Sequence, residues 1–134
     1  QRSRLFNAVM YGQKGLPRAD PELASVAVSR VNGCIYCAAV HSQRYAQLTK
    51  QPDLIQRILD EGVETELPPR ARAIVDYSVK LTSAPHLATA EDLAPLRTAG
   101  LSELEILDLT HVIAMLAWAN RLLQTLGEPV VKSD

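Results

Sequence analysis

An all-α fold is predicted by three observations on this sequence of 134 residues. Apolar side chains recur at helical spacing along most of the chain, and no stretch of useful length alternates apolar and polar residues as a half-buried strand does. Glycines suited to ending helices recur at positions 33, 62, 100 and 127. The length is that of one ordinary domain, so we expect a single bundle of about six helices.

The first sixteen residues give the weakest helical signal. Leu5, Phe6, Val9 and Met10 predict at most one or two short amphipathic turns. We therefore divide the chain into an N-terminal segment, residues 1–19, which is either trimmed or part of an interface, and a helical domain, residues 20–134.

The domain opens at Asp20, a residue type that caps helices, followed by Pro21 at the first helical position. That helix is expected to reach about residue 30. Further helices are predicted over residues 34–48, 52–61, 68–83, 89–100 and 102–126. Ser102 and Glu105 have the spacing of a capping box at the start of the last one. Its apolar residues cover most of its circumference, which predicts burial from several sides, in a core or between subunits.

Composition excludes several classes of function. Fourteen basic and fifteen acidic residues give a net charge of -1, and aromatics are only 4% of the chain, so no nucleic-acid partner is expected. The longest strongly apolar run, residues 112–119, is far shorter than a membrane span, so no membrane partner is expected. Two cysteines cannot make the disulfide scaffold of a small secreted fold, and the given chain starts without a leader. These features predict a cytoplasmic location.

The chemistry is concentrated in one short motif. Both cysteines belong to a Cys34-x-x-Cys37 pair, and His41 follows four residues later. On a helix these three positions share one face. The motif follows Asn32-Gly33 at a predicted helix N-terminus, where the helix dipole favours a thiolate, and His41 is one turn from Cys37 and can take its proton. A sulfenic acid on one sulfur would condense with the other to a disulfide, so the spacing predicts a dithiol redox site.

Other interpretations of the motif remain open at this point. Cys34, Cys37 and His41 could hold zinc, with Glu22, His86 or His111 as fourth ligand. The same pair could instead be a non-enzymatic redox sensor or disulfide-exchange site, a pair of inert buried thiols, or a stapling disulfide. A c-type haem site is excluded because residue 38 is alanine, and a thioredoxin-type site would require strands nearby. Away from the motif, His111 is expected to be a core or interface histidine, and His86 an exposed loop residue.

The pattern Glu22-x11-Cys34-x2-Cys37-x3-His41 resembles the redox core of the alkylhydroperoxidase AhpD-like proteins, within the carboxymuconolactone decarboxylase superfamily. The run of residues 26–41 and the Gly-Leu-Ser at 100–102 before the last helix are similar too, so the resemblance extends over about residues 20–127. It implies an AhpD-like helical bundle with the cysteine pair at a helix N-terminus. It also implies a dithiol-dependent alkyl hydroperoxide reductase without a cofactor or metal.

Specific roles follow from the resemblance only. Cys37 would be the peroxidatic cysteine, Cys34 the resolving thiol, and His41 with Glu22 the proton relay. The partners would be a hydroperoxide, a dithiol or protein thiol reductant, and further copies of the chain in a dimer, trimer or hexamer. From local sequence alone Glu22 is equally well an ordinary first-turn glutamate, and Cys34 should feel the helix dipole more than Cys37 does. Some family members have a histidine between the cysteines, where this chain has Tyr36.

Overall fold

The structure, a computed structural model, describes residues 2–12 and 15–127, and every regular element in that part of the chain is helical. The all-α prediction is therefore confirmed. The α-helices are α1 (Arg2–Tyr11), α2 (Ala19–Asn32), α3 (Ile35–Thr49), α4 (Pro52–Glu61), α5 (Pro69–Ser83), α6 (Ala94–Thr98) and α7 (Glu103–Leu126), with two 3-10 turns, Pro85–Leu87 and Ala90–Leu93, before α6.

Helix α2 lies at the centre of the bundle and packs against α3, α5, α7 and α4. Its residues 20–29 are all buried; most are small or apolar, and the charged exceptions, Asp20 and Glu22, are paired with Arg70 and His41. The core continues into the apolar faces of the surrounding helices, with Ile58, Ile74, Leu96, Leu109 and Leu116 among its fully buried side chains. Glu22 of the candidate site therefore lies on the central helix, and Cys34, Cys37 and His41 lie on or next to α3, which packs against it.

The N-terminal segment contains more regular structure than its sequence predicts. Helix α1 has ten residues, packs against α7, and is followed by Leu16, which is buried in the same core as Met10. Its isolated sequence has weak amphipathic character, and tertiary contacts with α7 supply the missing stabilisation. The proposed division at residue 20 stays a prediction, and residues 1, 13, 14 and 128–134 of the two predicted units lie outside the described residues.

The starts of the two helices that carry the candidate site differ from prediction, and the helix predicted over residues 89–100 is instead a 3-10 turn, Ala90–Leu93, followed by the short α6, Ala94–Thr98. Asp20 is not the N-cap of α2, because the helix begins at Ala19; its carboxylate instead accepts a hydrogen bond from Arg70 on α5 at 2.6 Å. Burial raises the pKa of Asp20, and the bond and charge of Arg70 lower it in part. At the other start, Cys34 precedes α3 as its N-cap residue, and the helix itself begins at Ile35. In contrast, the predicted capping box of α7 is present: Ser102 and Glu105 each accept from the other's backbone N–H, at 3.1 and 3.0 Å.

Helix α7 buries one face in the described chain. Its buried positions are Ile106, Leu109, Val112, Ile113, Leu116 and Asn120. Leu104, Leu107, Trp118 and Leu126 are exposed, so burial from several sides does not occur within one chain. His111 is exposed as well, two residues or about 200° from the buried Leu109, on the opposite side of the helix. The core half of its prediction is therefore wrong, and its place in an interface stays a prediction. His86 is exposed in the first 3-10 turn, as predicted.

By length and composition alone, α7 could cross a membrane: an 18-residue window has a mean hydropathy of 1.3, and 33% of it is buried. The uninterrupted apolar run of α7, residues 112–119, is too short to span a membrane. The mean hydropathy over 18 residues is nevertheless high, because it includes the apolar residues on both sides of the polar ones. This is weak support for a membrane span, because core helices of soluble proteins pass the same test.

Candidate functional site

The turn between α2 and α3 places both cysteines at the start of a helix. Helix α2 ends in a Schellman arrangement, in which the Cys34 N–H donates to Ser29 O at 2.9 Å and the Gly33 N–H to Arg30 O at 3.3 Å. Gly33 has φ 74°, a left-handed conformation that glycine adopts without strain, and a side chain added here would make ordinary contact with Gln124. Backbone conformation therefore favours a glycine immediately before the cysteine pair.

Cys34 and Cys37 form a disulfide across the first turn of α3, with a Cα–Cα distance of 5.4 Å. Each residue is only 4% exposed. No acidic residue lies in the first turn of α3, so no side-chain carboxylate there competes with a thiolate for the positive end of the helix. Once the disulfide is reduced, the positive end of the helix favours the thiolate form of either cysteine, whereas burial opposes it.

Glu22 and His41 form a buried pair behind the disulfide. The Glu22 Oε2 atom lies 2.5 Å from His41 Nδ1, and the two residues are 1% and 5% exposed. Glu22 belongs to the first turn of α2 and His41 to α3, so the packing of these two helices creates the contact. With an ionised carboxylate at Nδ1, that nitrogen carries the hydrogen and Nε2 is the atom left to exchange a proton.

The two cysteines line different cavities. A cavity of about 350 Å³ is lined by Cys37 and His41 together with mostly apolar residues, Phe6, Val40, Leu116, Trp118, Ala119, Leu122 and Leu123, and with Asn7, Tyr36 and Arg44. Cys34 lines a second one, of about 240 Å³, between Arg30, Ile35 and Leu59. The four predicted site residues are thus close together in the fold, and Cys37 shares its cavity with the histidine.

The zinc interpretation receives no support from the arrangement of donor groups. Within residues 2–12 and 15–127, no group of three or more His, Cys, Asp or Glu side chains is arranged to hold a metal ion. His86 and His111, two of the fourth ligands considered, are exposed on other elements.

Sequence reasoning missed a group of polar residues that fix the turn carrying the cysteines. Asn120 of α7 is fully buried; its side-chain nitrogen donates to Ser29 Oγ at 3.1 Å, and its oxygen accepts from Asn32 at 3.2 Å. Gln124, one turn later, donates to Asn32 O at 2.6 Å. These bonds attach the end of α2 to α7. In the sequence, these contacts are indicated only by the position of Asn120 in the apolar stripe of α7, because a buried amide there must have hydrogen-bond partners.

Comparison with known families bears on this site. The family model of the carboxymuconolactone decarboxylase family matches residues 1–79, which include Glu22, both cysteines and His41. The chain belongs to the carboxymuconolactone decarboxylase family. The resemblance inferred from the motif is confirmed, and the AhpD-like fold is supported by similar solved structures.

Two solved structures superpose on this family member, each with a TM-score of 0.84 and 27% sequence identity. One is an uncharacterised peroxidase-related protein from Silicibacter sp. TM1040; the other, from Ralstonia eutropha JMP134, is a peroxidase-related protein with an alkylhydroperoxidase AhpD core. In each case 92% of this chain is covered, but only 65% of the other, so the chain corresponds to part of those proteins.

A protein of unknown function from Agrobacterium tumefaciens shares the fold, with a TM-score of 0.76 at 22% identity over 97% of this chain and 89% of that one. Among curated proteins, no sequence matches this family member significantly. The family and the AhpD-like fold are therefore established.

Proposed function

We propose that the protein is a dithiol-dependent hydroperoxide reductase in which Cys37 reacts with the peroxide. The observation that carries this proposal is that Cys37, disulfide-bonded to Cys34, shares a cavity with His41, whose other nitrogen contacts the buried Glu22. A nucleophile, a base and a group that orients the base are the three parts required for an activated thiol. The apolar lining of that cavity suits an alkyl substituent on the peroxide.

The reaction balances without a metal or an organic cofactor. His41 takes the proton of Cys37, and the thiolate attacks one peroxide oxygen; the O–O bond breaks and the alkoxide leaves as an alcohol with the proton from His41. Cys37 is then a sulfenic acid. The Cys34 thiol attacks its sulfur and releases water, which forms the disulfide seen in the structure. A dithiol reductant or a protein thiol reopens the disulfide by two thiol–disulfide exchanges and is itself oxidised.

The reductant and the location form part of the same proposal. A disulfide that must be reopened after each turnover suits a reducing compartment, and we therefore place the protein in the cytoplasm. The exposed apolar side chains of α7, which include Leu104 and Leu107, suit contact with further copies of the chain, as a dimer, trimer or hexamer. Light scattering on the purified protein measures that assembly.

The deciding experiment counts thiols in the fully reduced protein before and after one equivalent of an organic hydroperoxide. We expect two thiols to be lost to one intramolecular disulfide. In Cys34→Ser, a sulfenic acid should persist at Cys37 and react with a sulfenic-acid-specific reagent, whereas Cys37→Ser should consume no peroxide. Two thiols that do not react with peroxide would overturn the proposal, and so would unchanged peroxide consumption by Cys37→Ser.

Two alternatives give distinguishable results. A non-enzymatic redox sensor or disulfide-exchange protein would form the same disulfide but would not turn over peroxide when a dithiol is supplied in excess. A zinc-binding structural protein would contain stoichiometric metal and thiols that the peroxide does not oxidise. Steady-state kinetics with a dithiol donor and metal analysis of the same sample therefore decide among the three.

A further inference from the structure

A second line of contacts continues from the Glu22–His41 pair toward the surface, through the end of α1. The Tyr11 hydroxyl donates to Glu22 Oε1 at 3.4 Å, which is long for a hydroxyl–carboxylate bond. Arg44 of α3 donates from Nη1 to the Tyr11 hydroxyl oxygen at 2.5 Å. Tyr11 is 39% exposed, whereas Glu22 is 1% exposed. The two carboxylate oxygens of Glu22 thus have different partners, His41 inside and Tyr11 toward solvent.

The Tyr11 ring is held by two cations. The guanidinium carbons of Arg18 and Arg44 lie 6.0 and 5.9 Å from its ring centroid, at the outer limit of a cation–π contact. These arginines come from two different segments, the turn before α2 and the middle of α3. Together with the hydrogen bond from Arg44, they restrict the ring to an orientation in which its hydroxyl faces the carboxylate.

The buried pair lies between two openings. Glu22, Tyr11, Arg18 and Arg44 line a cavity of about 380 Å³, and His41 and Cys37 line the cavity assigned above to the peroxide, which Arg44 also lines. Glu22 is therefore reached from the Tyr11 side. A buried carboxylate that faces such an opening requires hydrogen bonds on both oxygens to keep its charge and its orientation.

We propose that Tyr11 is a positioning residue: its hydroxyl holds Glu22 Oε1, so that Glu22 Oε2 stays on His41 and stabilises the protonated imidazole formed when Cys37 ionises. Removal of the hydroxyl leaves Glu22 Oε1 without that partner. The carboxylate is then less well oriented, and its interaction with a protonated His41 is weaker. The thiolate of Cys37 should then form only at higher pH. The catalytic role of His41 itself rests on the proposed function.

The protonation state of Tyr11 agrees with a donor role. Burial raises the pKa of Tyr11, as does the charge of Glu22, and the arginines lower it in part. The charged groups that face the hydroxyl are Glu22 from α2, Arg44 from α3 and Arg18 from the turn before α2. The phenol therefore keeps its proton at neutral and mildly alkaline pH, where it can donate to the carboxylate.

The test measures the rate at which iodoacetamide alkylates Cys37, as a function of pH, in reduced protein that carries Cys34→Ser. Tyr11→Phe removes only the hydroxyl, and we expect the midpoint of the profile to move upward, with alkylation about threefold to tenfold slower below the midpoint. Tyr77→Phe is the matched control, since it removes a hydroxyl that pairs with Thr110 Oγ1 at 2.6 Å between α5 and α7. Its profile should coincide with that of the parent protein.

Coincident profiles for Tyr11→Phe and the parent would overturn the proposal, and so would equal shifts for both tyrosine variants, which would indicate a general structural effect. Thermal unfolding of each variant shows whether the fold is retained. Alkylation involves no peroxide, so the outcome is independent of the proposed reaction. A protein that fails to reduce peroxide while Tyr11→Phe still shifts the profile would refute the reductase and retain the positioning role.

Discussion

Glu22 and His41 are nineteen residues apart in the chain, yet the carboxylate oxygen of one lies 2.5 Å from Nδ1 of the other in the interior of the protein. In the proposed reaction, Glu22 fixes which imidazole nitrogen carries the hydrogen, and His41 supplies the nitrogen that accepts a proton from Cys37. The pair forms because the central helix α2 packs along α3.

The charge of Glu22 should matter more than its volume. Glu22→Gln keeps the shape, but its amide can donate to Nδ1 and select the wrong histidine tautomer. We expect peroxide turnover to fall on the order of a hundredfold, the low end for the loss of general acid–base assistance. Glu103→Gln, another first-turn glutamate but exposed and paired with Arg97, is the control and should retain full activity. Equal activity of the two variants would contradict the relay.

His41→Gln should slow the reaction most at neutral pH. Without the base, Cys37 must ionise as an ordinary thiol, whose unperturbed pKa is about 8.5, so the deficit should narrow as the pH rises through that value. The pH dependence of kcat/KM for an organic hydroperoxide measures this. His111→Gln, at an exposed position on α7, should follow the wild-type profile. A deficit of the same size at every pH would show that His41 acts through structure instead of proton transfer.

Asn120→Ala should destabilise the protein, because it leaves the side chains of Ser29 and Asn32 without their partner at the end of α2. The expected loss is about 1–3 kcal/mol in the free energy of unfolding, the cost of unsatisfied buried polar groups. Gln124→Ala is the comparison: its amide is exposed, so the loss should be no more than about 0.5 kcal/mol. Urea denaturation followed by circular dichroism measures both, and equal losses would contradict the special role of the buried asparagine.

The capping box of α7 predicts a stability difference that depends on pH. The hydrogen bond from the Ser102 backbone N–H lowers the pKa of Glu105 from its ordinary value of 4.5. Ionised Glu105 therefore stabilises the folded state at every pH above the pKa that the residue has in the unfolded chain. At neutral pH, Glu105→Gln should cost about 0.3–1 kcal/mol, toward the low end because the carboxylate is poorly shielded from solvent. The difference should shrink as the pH falls below 4.5 through the lowered pKa.

Thermal unfolding of the wild type and Glu105→Gln between neutral pH and about pH 3 measures this effect. Glu66→Gln, at an exposed position in the loop between α4 and α5, is the control. A difference between wild type and Glu105→Gln that persists undiminished at the acid end would refute the assignment.

Local sequence predicted the helices well because their ends are set locally. Gly33, Gly62 and Gly127 follow helix ends as expected, and the Ser102 capping box is present. The predicted start of α2 was wrong because the Asp20 carboxylate accepts a hydrogen bond from Arg70, fifty residues away, instead of capping its own helix. A capping residue can be drawn into a tertiary contact, and no local rule shows when that happens.

The candidate site was predictable to the extent that it lies on one helix. Cys34, Cys37 and His41 share a short segment, so their proximity follows from helical spacing. The role of Glu22 beside His41 was implied only by the family resemblance, since their contact depends on how two helices pack. The contacts of Tyr11 and Asn120 do not follow from spacing along one helix, because Tyr11 reaches Glu22 from α1 and Asn120 reaches Ser29 from α7.

The arrangement of the two sulfurs has a kinetic consequence. Cys37 and Cys34 belong to one disulfide but line separate cavities, one apolar and shared with His41, the other beside the 83% exposed Ile35. A molecule lodged in the first cavity obstructs approach to Cys37 while the opening at Cys34 stays clear. Oxidising and reducing co-substrates of such a site need not compete for one entrance, so an inhibitor of one half-reaction can leave the other half-reaction intact.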